Sequence, residues 1–559
     1  MSNKPYPTVV HAFADSLEKN PEKTAIHITD SGLKDVFALS YADLYREACC
    51  VAKGFKALHI VAKDRLIIAL PTSREFFAVY FGALFTGVIP IIVPGPQRNW
   101  DRKFYAERLE EVAQAVDTRY VIVPSAVHEE NEREQFSLLT LITIEQLRQY
   151  GEISNLKLVT DETDIAHLQA TSGSTGIPKF AIVRHGNIAA NVSAIGIAIQ
   201  HRAEDSLVTW LPFFHDMGLI GISYALFWQC PLIAMDPMNF IRNPISWLRL
   251  ITHFGGTLSP APNSAFQVCA RLARRRRFEE LDLTSWRVAL CGAEPVHEDT
   301  LRQFYESFEP YGFRETTLLP VYGLAEATLA ATIPDVNSIP RVESIDTDVM
   351  ESTRRCVPPT LKSKRHLRMV SVGTAIPSHQ VRIVTEEGLR AKEREIGEIE
   401  FSGPSVIGGY WSDPQKTSTL KREDGFLRTG DLGYQADGQL YITGRKNDIL
   451  IINGRNLIPN QIEAVVEKVI KSRITGGVAA CGIFSTDAKT ETLHLIIESR
   501  VLPPSDLTRL EILVRDALEA IFGLSGITIH WVAKGQIPKT TSGKIQYYRC
   551  RDLIKKALT

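Results

Sequence analysis

An uncharged run, Phe76–Val93, limits the folds open to this chain more than any other stretch of its sequence. Its length is typical of a membrane span, but two glycines and Pro90 interrupt it, and proline breaks a helix. The apolar run Leu66–Leu70 precedes it, and a helix-start signal lies between the two runs. We therefore predict a strand, a buried helix that ends near Gly87, and a second strand at Val88–Val93 rather than a membrane span. A strand, a helix and a strand at this spacing form a parallel sheet that is covered on both faces.

Similar apolar runs extend this α/β pattern to about residue 370. The further strand candidates are Tyr120–Val123, Leu207–Leu211, Leu232–Met235 and Val288–Leu290. Beyond residue 370, short strands separated by Gly, Pro and Asp indicate a small β-rich subdomain. These strands are Gln380–Val384, Gly397–Ser402, Phe426–Gly430 and Gln439–Thr443. Asp437-Gly438, between the last two, is typical of a tight hairpin.

The pattern changes again near Arg445, and the remainder of the chain reads as a compact α+β unit of ordinary domain size. Its predicted helices and strands are Pro459–Val469, Val478–Phe484, Leu493–Glu498, Asp506–Phe522 and Ile527–Val532. We therefore predict an N-terminal domain over 1–445 and a C-terminal domain over 446–559. The predicted fold class is α/β, with parallel α/β subdomains and a small β-rich subdomain in the large N-terminal domain, followed by the α+β domain.

Composition excludes several classes of protein. A chain of 559 residues is too long for one core, and 44% hydrophobic with 23% charged residues is typical of a soluble globular protein. The net charge of -1 gives no reason to expect a nucleic-acid partner. Eight scattered cysteines without a C-x-x-C pair predict neither a disulfide framework nor a zinc site. The first ten residues lack the apolar core of a secretion signal, so we expect a cytoplasmic protein.

A loop rich in glycine and hydroxyl groups follows the mostly apolar segment Ile165–Ala170. Its residues are Thr171, Ser172, Gly173, Ser174, Thr175, Gly176, Ile177, Pro178 and Lys179. Glycine lets backbone N–H groups approach a ligand closely, and Lys179 adds a positive charge, so the composition is that of a phosphate-binding loop. The spacing is not that of a Walker A loop, because Pro178 stands where that motif requires glycine. Taken alone, the run is also typical of a flexible surface loop.

Four further motifs accompany this loop, in a fixed order along the chain. They are Leu290-Cys291-Gly292-Ala293-Glu294-Pro295, Tyr322-Gly323-Leu324-Ala325-Glu326-Ala327-Thr328, Arg428-Thr429-Gly430-Asp431 and Pro538-Lys539-Thr540-Thr541-Ser542-Gly543-Lys544. With the loop, they resemble the adenylate-forming superfamily of acyl-CoA synthetases, peptide-synthetase adenylation domains and luciferases. Each motif alone is weak, whereas five in this order are specific, and the resemblance spans nearly the whole chain.

The resemblance implies a reaction in which a carboxylate attacks the α-phosphate of ATP. The loop Thr171–Lys179 would hold the β- and γ-phosphates. Tyr322-Gly323 would lie against the adenine ring, and the backbone of Gly292-Ala293-Glu294 would face its edge. Asp431 matches the aspartate that accepts both ribose hydroxyls, as an ionised carboxylate does well, and Arg445 would support the ribose and phosphate side.

Two further charged residues are assigned roles by the resemblance. Glu326 matches the position that binds Mg²⁺ on the phosphates, and Lys544 matches the catalytic lysine that reaches the reacting groups from a mobile C-terminal domain. The hinge of that domain corresponds to Asn447, where many relatives carry Asp or Lys. Taken singly, Glu326 also suits a helix-surface acid, Asp431 a turn former and Lys544 a solvated tail lysine.

Substrate choice is indicated by the segment Trp210–Leu219, which resembles the fatty acyl-AMP ligase branch of the superfamily. It contains His215 and Asp216, and in the family it borders the carboxylate end of the acyl pocket. The apolar stretch Ile220–Phe227 that follows suits the wall of a lipid tunnel. It suits a core helix equally well.

An insertion at about 335–370, between Glu326 and Gly373, is the stronger sign of this branch. A compact domain rarely uses so long a connection without purpose. In the acyl-AMP ligases a similar insertion packs against the C-terminal domain and disfavours the pose that forms a thioester with CoA. Gly454-Arg455-Asn456 is a lesser point of resemblance to the same branch.

We therefore hypothesise a fatty acyl-AMP ligase that uses ATP and Mg²⁺. It would activate a medium- or long-chain fatty acid and pass the acyl group to an acyl carrier protein on a separate chain. The alternatives are a fatty acyl-CoA synthetase with an incidental insertion, and a non-catalytic fatty-acid or nucleotide binder on the same fold. We expect no nucleic-acid partner and no transmembrane segment.

Overall fold

The computed structural model describes most of the chain. The described residues are 5–30, 33, 36–96, 102–129, 138–153, 156–158, 160–171, 178–363, 365–448, 450–452, 455–470, 474–485, 490–499, 503–539 and 545–558. Parallel sheets dominate up to about residue 320, and antiparallel sheets dominate after it.

Strands and helices are numbered in chain order. The strands are β1 (Thr24–Thr29), β2 (Val36–Ser40), β3 (Arg65–Ile68), β4 (Ile89–Ile92), β5 (Tyr120–Ile122), β6 (Thr140–Ile142), β7 (Ile165–Thr171), β8 (Lys179–Arg184), β9 (Leu207–Thr209), β10 (Leu232–Met235), β11 (Leu258–Pro262), β12 (Val288–Gly292), β13 (Leu318–Pro320), β14 (Tyr322–Gly323), β15 (Ala330–Ile333), β16 (Val342–Asp346), β17 (His366–Val370), β18 (Thr374–Ala375), β19 (Gln380–Val384), β20 (Gly397–Ser402), β21 (Leu427–Ala436), β22 (Gln439–Arg445), β23 (Leu450–Ile452), β24 (Arg455–Leu457), β25 (Ile474–Ser485), β26 (Thr490–Ser499) and β27 (Thr528–Val532). The helices are α1 (Val9–Lys19), α2 (Tyr41–Ala57), α3 (Arg74–Thr86), α4 (Arg102–Ala115), α5 (Ser125–Glu129), α6 (Ile144–Arg148), α7 (His185–Ala198), α8 (Asp216–Phe227), α9 (Pro237–Arg242), α10 (Ile245–Phe254), α11 (Asn263–Ala273), α12 (Glu298–Phe308), α13 (Thr347–Thr353), α14 (Pro414–Leu420), α15 (Pro459–Ile470), α16 (Pro504–Phe522) and α17 (Tyr547–Leu558).

The largest sheet contains seven strands in the order β13-β12-β11-β9-β10-β1-β2. Its strands run parallel except for the edge strand β2, which pairs antiparallel with β1. The inner strands are short, apolar and buried, as strands covered on both faces must be. The neighbouring strands β11, β12 and β13 end at Pro262, Gly292 and Pro320 on one edge of the sheet. Open parallel sheets bind ligands at this carboxyl edge.

A second sheet, β4-β3-β5-β6, is parallel throughout. Helix α3 connects β3 to β4 and is buried from Phe76 to Phe85. Its first turn is capped by Ser73, whose hydroxyl accepts a hydrogen bond from the Phe76 amide at 3.3 Å. Its end is marked by Gly87, with a left-handed φ of 72°. The unit predicted from the uncharged run is therefore confirmed, and none of the described helices is both long and apolar enough to span a bilayer.

Aromatic rings pack between the seven-stranded sheet and helices α10, α11 and α12. Trp247, Phe266, Trp286 and Phe304 are fully buried there. The ring centroids of Trp247 and Trp286 lie 5.2 Å apart at 73°, and those of Phe266 and Phe304 lie 4.9 Å apart at 78°. Such edge-to-face pairs each contribute about 0.5–1.5 kcal/mol beyond the burial of area. This core fixes the strands whose ends carry the candidate site.

Strands β19–β22 form an antiparallel sheet, which is the predicted β-rich subdomain. Asp437 and Gly438 connect β21 to β22 with φ values of 51° and 74°. Two central residues with positive φ are typical of the type I′ turn, which matches the twist of the strands. Strand β21 continues to Ala436, beyond the predicted end at Gly430, because it stays paired with β22 up to this turn.

The insertion at 335–370 folds into the antiparallel strands β16 and β17 with helix α13 between them. Glu351 on α13 accepts hydrogen bonds from Arg365 Nη2 at 3.0 Å and from Arg455 Nη2 at 2.6 Å. Arg365 Nη1 also donates to the carbonyl of Ile521 at 3.1 Å. Arg455 and Ile521 belong to the part of the chain after residue 446, so the insertion contacts that part directly.

The C-terminal part is built on the sheet β25-β26-β27. Side chains alternate between the faces of a strand, and here Val478 and Ala480 face the core formed with α15 and α16. Ala479 and Cys481 face the opposite core, to which α17 contributes Cys550. The α/β class with a large N-terminal domain and a separate α+β domain is confirmed, whereas the boundary at residue 445 stays a prediction.

Candidate active site

Several of the predicted site residues meet at the carboxyl edge of the seven-stranded sheet. The chain leaves β12 at Gly292 and β13 at Pro320, and the segments that follow carry Ala293 and Tyr322. Tyr322 lies on β14 and pairs with Thr332 of β15, which keeps its position close to the strand end. The hairpin β21–β22 brings Asp431 of the fourth motif and Arg445, at the end of β22, to the same place.

Asp431 joins three of these elements through hydrogen bonds. Its Oδ2 accepts from the Tyr322 hydroxyl at 2.6 Å, and its Oδ1 accepts from Arg445 Nε at 2.9 Å. Asp431 and Arg445 stand opposite each other on β21 and β22, as stabilising pairs of opposite charge do. The Asp431 amide donates to Thr429 Oγ1 at 3.1 Å, so the backbone is held as well.

Burial differs sharply among these groups. Tyr322 and Asp431 are buried, whereas 53% of the Arg445 side chain is exposed. Burial and the neighbouring carboxylate of Asp431 raise the pKa of Tyr322 well above its usual value. The negative charge of Asp431 raises the pKa of Arg445. Tyr322 therefore stays protonated and donates its hydrogen bond to Asp431.

The backbone at Gly292-Ala293-Glu294 is fixed in an uncommon conformation. Ala293 has a left-handed φ of 63°, which costs a residue with a side chain about 1–2 kcal/mol. Glu294 Oε1 accepts a hydrogen bond from the Ser264 amide in the first turn of α11. Strain of this kind persists only where the surroundings enforce it, and it is concentrated at ligand sites.

Gly323 shows why the third motif contains glycine after Tyr322. A Cβ atom at this position would lie 2.1 Å from the carbonyl oxygen of Leu329. A residue with a Cβ atom therefore does not fit here. The backbone of Gly323 can lie close to that of Leu329, and this contact determines the path of the chain from β14 towards Glu326.

Glu326 lies in a 3₁₀ turn, Ala325–Ala327, that is braced from below. The buried amide of Asn191 donates to the carbonyls of Ala327 and Ala330 at 3.2 and 2.9 Å. Thr328 ends the turn with a positive φ of 74°, which is rare for a β-branched residue, and its hydroxyl donates to the carbonyl of Ser405 at 2.6 Å. The turn is thus held at its C-terminal end.

Tyr410 connects this turn to the loop region. Its hydroxyl donates to Glu326 Oε1 at 2.6 Å, and Lys179 Nζ lies 5.1 Å from the centre of its ring. Burial and the charge of Glu326 raise the pKa of Tyr410, so its hydroxyl remains a donor. Residue 410 also forms a β-bridge with Ala181 of β8. Lys179, Tyr410 and Glu326 therefore form one cluster with a cation, a hydroxyl and a carboxylate.

The ends of the glycine-rich loop are described, and its centre is not. Thr171 and Lys179 pair across the hairpin of β7 and β8, and Thr171 Oγ1 donates to the Lys179 carbonyl at 3.4 Å. The loop residues between them that were assigned to phosphate, Ser172, Gly173, Ser174, Thr175 and Gly176, lie outside the described residues, as does Lys544. The predicted hinge residue Asn447 lies in a 3₁₀ turn, Lys446–Asp448, directly after β22.

A cavity that is partly open to solvent extends from the polar pocket of Tyr322. Ala293, Tyr322 and Gly323 line one part of it, and Asp216 lines it as well. Most other lining side chains are aliphatic and come from α7, α8 and the strands β9, β11, β12 and β15. These are Ile195, Ile199, Leu207, Ile220, Leu258, Leu290, Leu329 and Ile333. Such a cavity accepts an apolar chain whose polar end stays near the mouth.

Helix α8 supplies one wall of this cavity. Met217, Ile220, Gly221 and Tyr224 line it, and the spacing i, i+3, i+4, i+7 places them on one helix face. Asp216 is the first residue of the helix and also lines the cavity, while the ring of His215 at the N-cap lies 4.6 Å from that of Phe214. The sequence left open whether this stretch is a core helix or a tunnel wall. In the structure, one face of the helix lines the cavity and the other packs in the core.

Two residues of this site were not identified from the sequence. Tyr410 lies outside the five motifs, and the only local signal is the Gly408-Gly409 pair directly before it. Tyr224 was included in the apolar stretch without a role of its own. Both contacts depend on segments far apart in the chain, so hydrophobic periodicity could not reveal them.

The arrangement combines a polar pocket and an apolar cavity that share a wall at Ala293, Tyr322 and Gly323. Glu326 fits a magnesium ion, because a carboxylate has two oxygens, Tyr410 engages Oε1, and none of the residues that the structure describes donates to Oε2. Lys179 is placed to attract phosphate oxygens near the same carboxylate. The site can therefore hold a nucleotide and an amphipathic acid side by side.

Comparison with known families agrees with this geometry. The family model described as AMP-binding enzyme matches residues 13–411. The medium-chain-fatty-acid–[acyl-carrier-protein] ligase JamA of Moorena producens is 31% identical, covering 99% of this chain and 95% of that protein. The long-chain-fatty-acid–AMP ligase FadD26 of Mycobacterium tuberculosis is 31% identical, covering 98% and 97%. A putative acyl-CoA synthetase of Caulobacter vibrioides is 30% identical, covering 91% and 89%.

Solved structures give the same result for the fold. A structure from a study of fatty acyl-adenylate ligases of E. coli and L. pneumophila has a TM-score of 0.90 at 30% identity, covering 100% of this chain and 99% of that one. The fatty acyl-adenylate ligase of L. pneumophila in complex with acyl adenylate and pyrophosphate has a TM-score of 0.75 at 27% identity, covering 99% and 96%.

Proposed function

We propose that this chain, which belongs to the AMP-binding enzyme family and to its fatty acyl-AMP ligase branch, activates a fatty acid with ATP. The products are acyl-adenylate and pyrophosphate, and the acid has a medium or long chain. The acyl group then passes to the phosphopantetheine thiol of an acyl carrier protein. The observation that carries this proposal is the shared wall between the apolar cavity and the pocket of Tyr322 and Asp431.

The nucleotide would be held by the polar pocket. Asp431, oriented by Tyr322 and Arg445, presents carboxylate oxygens to both ribose hydroxyls. The uncommon backbone at Ala293 exposes peptide groups to the adenine edge, and the ring of Tyr322 lies beside it. Because all of these groups are fixed before the ligand arrives, binding them costs little reorganisation.

In the adenylation step, a carboxylate oxygen of the fatty acid forms a bond to the α-phosphorus while the bond from that phosphorus to the bridging oxygen breaks. The main barrier is repulsion between anions, so the protein has to position the reactants and neutralise charge. Lys179 would bind the departing phosphates, and Lys544 would approach the carboxylate and the α-phosphate. Glu326 would hold Mg²⁺, which when bound screens the phosphate charges.

In the second step, the sulfur of the carrier thiol forms a bond to the acyl carbon. The bond from that carbon to the oxygen of the adenylate breaks, AMP leaves with this oxygen, and the thiol proton passes to solvent. The contacts of the insertion support a protein acceptor in place of CoA. Glu351 binds Arg365 within the insertion and Arg455 of the C-terminal part, and Arg365 reaches the carbonyl of Ile521. These contacts join the insertion to the C-terminal part, and in the acyl-AMP ligases that this chain resembles a similar insertion disfavours the pose that forms a thioester with CoA.

Formation of acyl-CoA is the second candidate function. It is favoured by the relative from Caulobacter vibrioides, which is named a putative acyl-CoA synthetase. The two candidates share the adenylation step and differ only in the acceptor of the acyl group.

The test is product analysis by mass spectrometry with ATP, Mg²⁺ and a series of saturated fatty acids, with and without CoA. We expect acyl-AMP that persists when CoA is present and that disappears when a phosphopantetheinylated carrier protein is added. Efficient conversion to acyl-CoA would establish the second candidate. A chain that forms no acyl-AMP with any acid, and that shows no exchange of pyrophosphate into ATP dependent on fatty acid, would be a binder and not an enzyme.

The variant Glu351→Ala sharpens this test because it removes the shared acceptor of Arg365 and Arg455 and leaves the adenylation pocket intact. We expect the fraction of acyl-CoA among the products to rise at least severalfold. The matched control is Glu386→Ala, which removes an exposed partner of Arg354 at the surface. An unchanged product ratio in Glu351→Ala would contradict the role given to the insertion.

A further inference from the structure

The acyl cavity has a measurable depth along helix α8. Asp216 begins the helix beside the nucleotide pocket, and Tyr224 is the last residue of α8 that lines the cavity. A rise of 1.5 Å per residue places these two positions about 12 Å apart along the helix axis. Leu207 and Leu258, the first residues of β9 and β11, also line the cavity, so it reaches the amino-terminal edge of the sheet.

Tyr224 presents a ring to this cavity and directs its polar end away from it. The residue is 5% exposed, and its hydroxyl lies 2.9 Å from His201 Nδ1. The backbone of Trp228 binds the His201 ring as well, and burial lowers the pKa of His201, which keeps the imidazole neutral. With the proton on the other ring nitrogen, Nδ1 accepts the hydrogen bond that Tyr224 donates. The ring of His201 is further fixed by Trp228, whose centroid lies 4.7 Å away.

A buried ion pair of Asp205 and Arg287 lies beside His201. Asp205 Oδ2 lies 3.5 Å from His201 Nδ1, and Asp205 Oδ1 accepts from Arg287 Nε at 2.7 Å. Arg287 also donates to the carbonyls of Ile199 and Gln200 at 2.9 and 3.1 Å. The side chains of Asp205 and Arg287 are almost fully buried, so these bonds are not weakened by solvent. Ile199 itself lines the cavity, and the network therefore fixes two parts of its floor.

We propose that the ring of Tyr224 closes the far end of the acyl cavity and sets the longest chain that the enzyme accepts, with His201 as a positioning residue that holds the ring in place. This inference rests on the proposed function and deepens it. Three bonds of an extended chain span about 3.3–3.6 Å, so a length of about 12 Å corresponds to roughly ten bonds. The structure thus favours medium-chain acids near decanoic acid over long-chain acids.

The first test is Tyr224→Ala, assayed as acyl-AMP formation with acids from hexanoic to octadecanoic. Removing the ring opens space for further methylenes, and each one that becomes buried adds about fourfold to kcat/KM, equivalent to about 0.8 kcal/mol. We expect the ratio of kcat/KM for hexadecanoic over decanoic acid to rise at least tenfold. An unchanged ratio in a folded variant would overturn the proposal.

A second variant tests the same cavity in the opposite direction. Gly221 lies one helical turn before Tyr224 on the wall, and a Cβ atom there would meet only Leu207 Cδ2, at 3.6 Å. The Cβ atom therefore meets no backbone atom outside its own helix, so Gly221→Val adds volume on this wall. Replacing a helical glycine also reduces the entropy of the unfolded chain. We expect acids near decanoic acid to lose at least tenfold in kcat/KM, while hexanoic acid changes less than threefold. Equal losses for all acids would contradict the proposed direction of the cavity.

The role of His201 is tested by substituting both partners of the hydrogen bond. His201→Phe keeps a ring against Trp228 but leaves the hydroxyl of Tyr224 buried without its acceptor. The ratio of kcat/KM for hexadecanoic over decanoic acid should therefore rise severalfold. The double variant His201→Phe with Tyr224→Phe has no orphaned hydroxyl, and apolar replacement of both partners is nearly neutral. It should restore the original limit. If the double variant shows the same raised ratio as His201→Phe, His201 does not position the ring of Tyr224.

The outcomes separate this inference from the proposed function. If the unmodified enzyme forms no acyl-AMP with any fatty acid, the proposed function fails. If it forms acyl-AMP with the same upper chain length in Tyr224→Ala as in the unmodified enzyme, only the inference fails.

Discussion

The proposed nucleotide pocket and the proposed acyl cavity share a wall but are built on opposite principles. In the pocket, each polar group is held by another: Asp431 binds Tyr322 and Arg445 at 2.6 and 2.9 Å. In the cavity, most of the surface is aliphatic, and the polar end of Tyr224 is turned outward to His201. The pocket therefore determines where a few polar atoms of the ligand lie, whereas the cavity limits the volume of the acyl chain.

This difference predicts how each region responds to mutation. Loss of one hydrogen-bonding group in the pocket should slow adenylation of every fatty acid by the same factor, because the nucleotide is common to all of them. Loss or gain of volume in the cavity should change the ranking of acids by length. The dependence of each defect on chain length is therefore the measurement that distinguishes the two regions.

The largest effect is expected for Lys544→Ala, at the position that the family resemblance assigns to the catalytic lysine. A single cationic group that stabilises developing charge typically contributes about 10²–10³ in kcat. We expect a loss of this size in acyl-AMP formation for every chain length, measured by exchange of pyrophosphate into ATP. The control is Lys534→Ala, an exposed lysine of the same domain that takes no part in the site. Full activity of Lys544→Ala would remove this residue from the mechanism.

A smaller and equally uniform loss is expected for Asp431→Asn. The amide keeps the shape of the side chain, but it weakens the pairing with Arg445 and the acceptance of the ribose hydroxyls. Hydrogen bonds to a charged group are worth about 1.5–3 kcal/mol, so kcat/KM for ATP should fall roughly 10–100-fold. Asp437→Asn, in the turn of the same hairpin, is the matched control, because asparagine suits a type I′ turn. A loss that varied with the length of the acid would contradict the prediction that pocket variants affect all acids equally.

Much of the scaffold around these regions could be predicted from local signals. The strand, helix and strand between Leu66 and Val93 follow from an apolar pattern, a capping serine and a glycine at the helix end. The hairpin at Asp437-Gly438 follows from two residues that tolerate positive φ. Such signals depend on neighbours in sequence, so they need no knowledge of the tertiary fold.

The contacts that complete the site could not be predicted in the same way. Tyr410 reaches Glu326 across 84 positions in the chain, and Tyr224 reaches His201 from another element. A tyrosine in an apolar helix has the same periodicity whether it is core or cavity wall. Motif order is enough to predict which residues face a nucleotide, but the floor of the cavity depends on how α7, α8 and β9 pack together.

The third prediction concerns the magnesium requirement. Glu326→Gln keeps the hydrogen bond from Tyr410 possible but removes the negative charge that a hard cation prefers. We expect the Mg²⁺ concentration for half-maximal adenylation to rise about tenfold, which is typical when a metal site loses part of its support. The measurement is a magnesium titration at saturating ATP and fatty acid. Glu306→Gln, an exposed acid on α12, is the control, and an unchanged requirement in Glu326→Gln would separate this carboxylate from the metal.

The smallest effect is expected for Tyr322→Phe. This variant keeps the ring and removes only the hydroxyl, which donates a hydrogen bond to Asp431 at 2.6 Å. Asp431 retains Arg445 and the backbone contact at Thr429, so the loss should be about 1 kcal/mol, or roughly fivefold in kcat/KM for ATP. Because burial and Asp431 raise the pKa of Tyr322, this hydroxyl does not titrate at neutral pH. The pH profiles of the variant and the unmodified enzyme should therefore run parallel from about pH 6 to about pH 9. A defect that grew with pH would mean that Tyr322 loses its proton in this range, and a defect that grew with the length of the acid would mean that its ring serves the cavity more than the pocket.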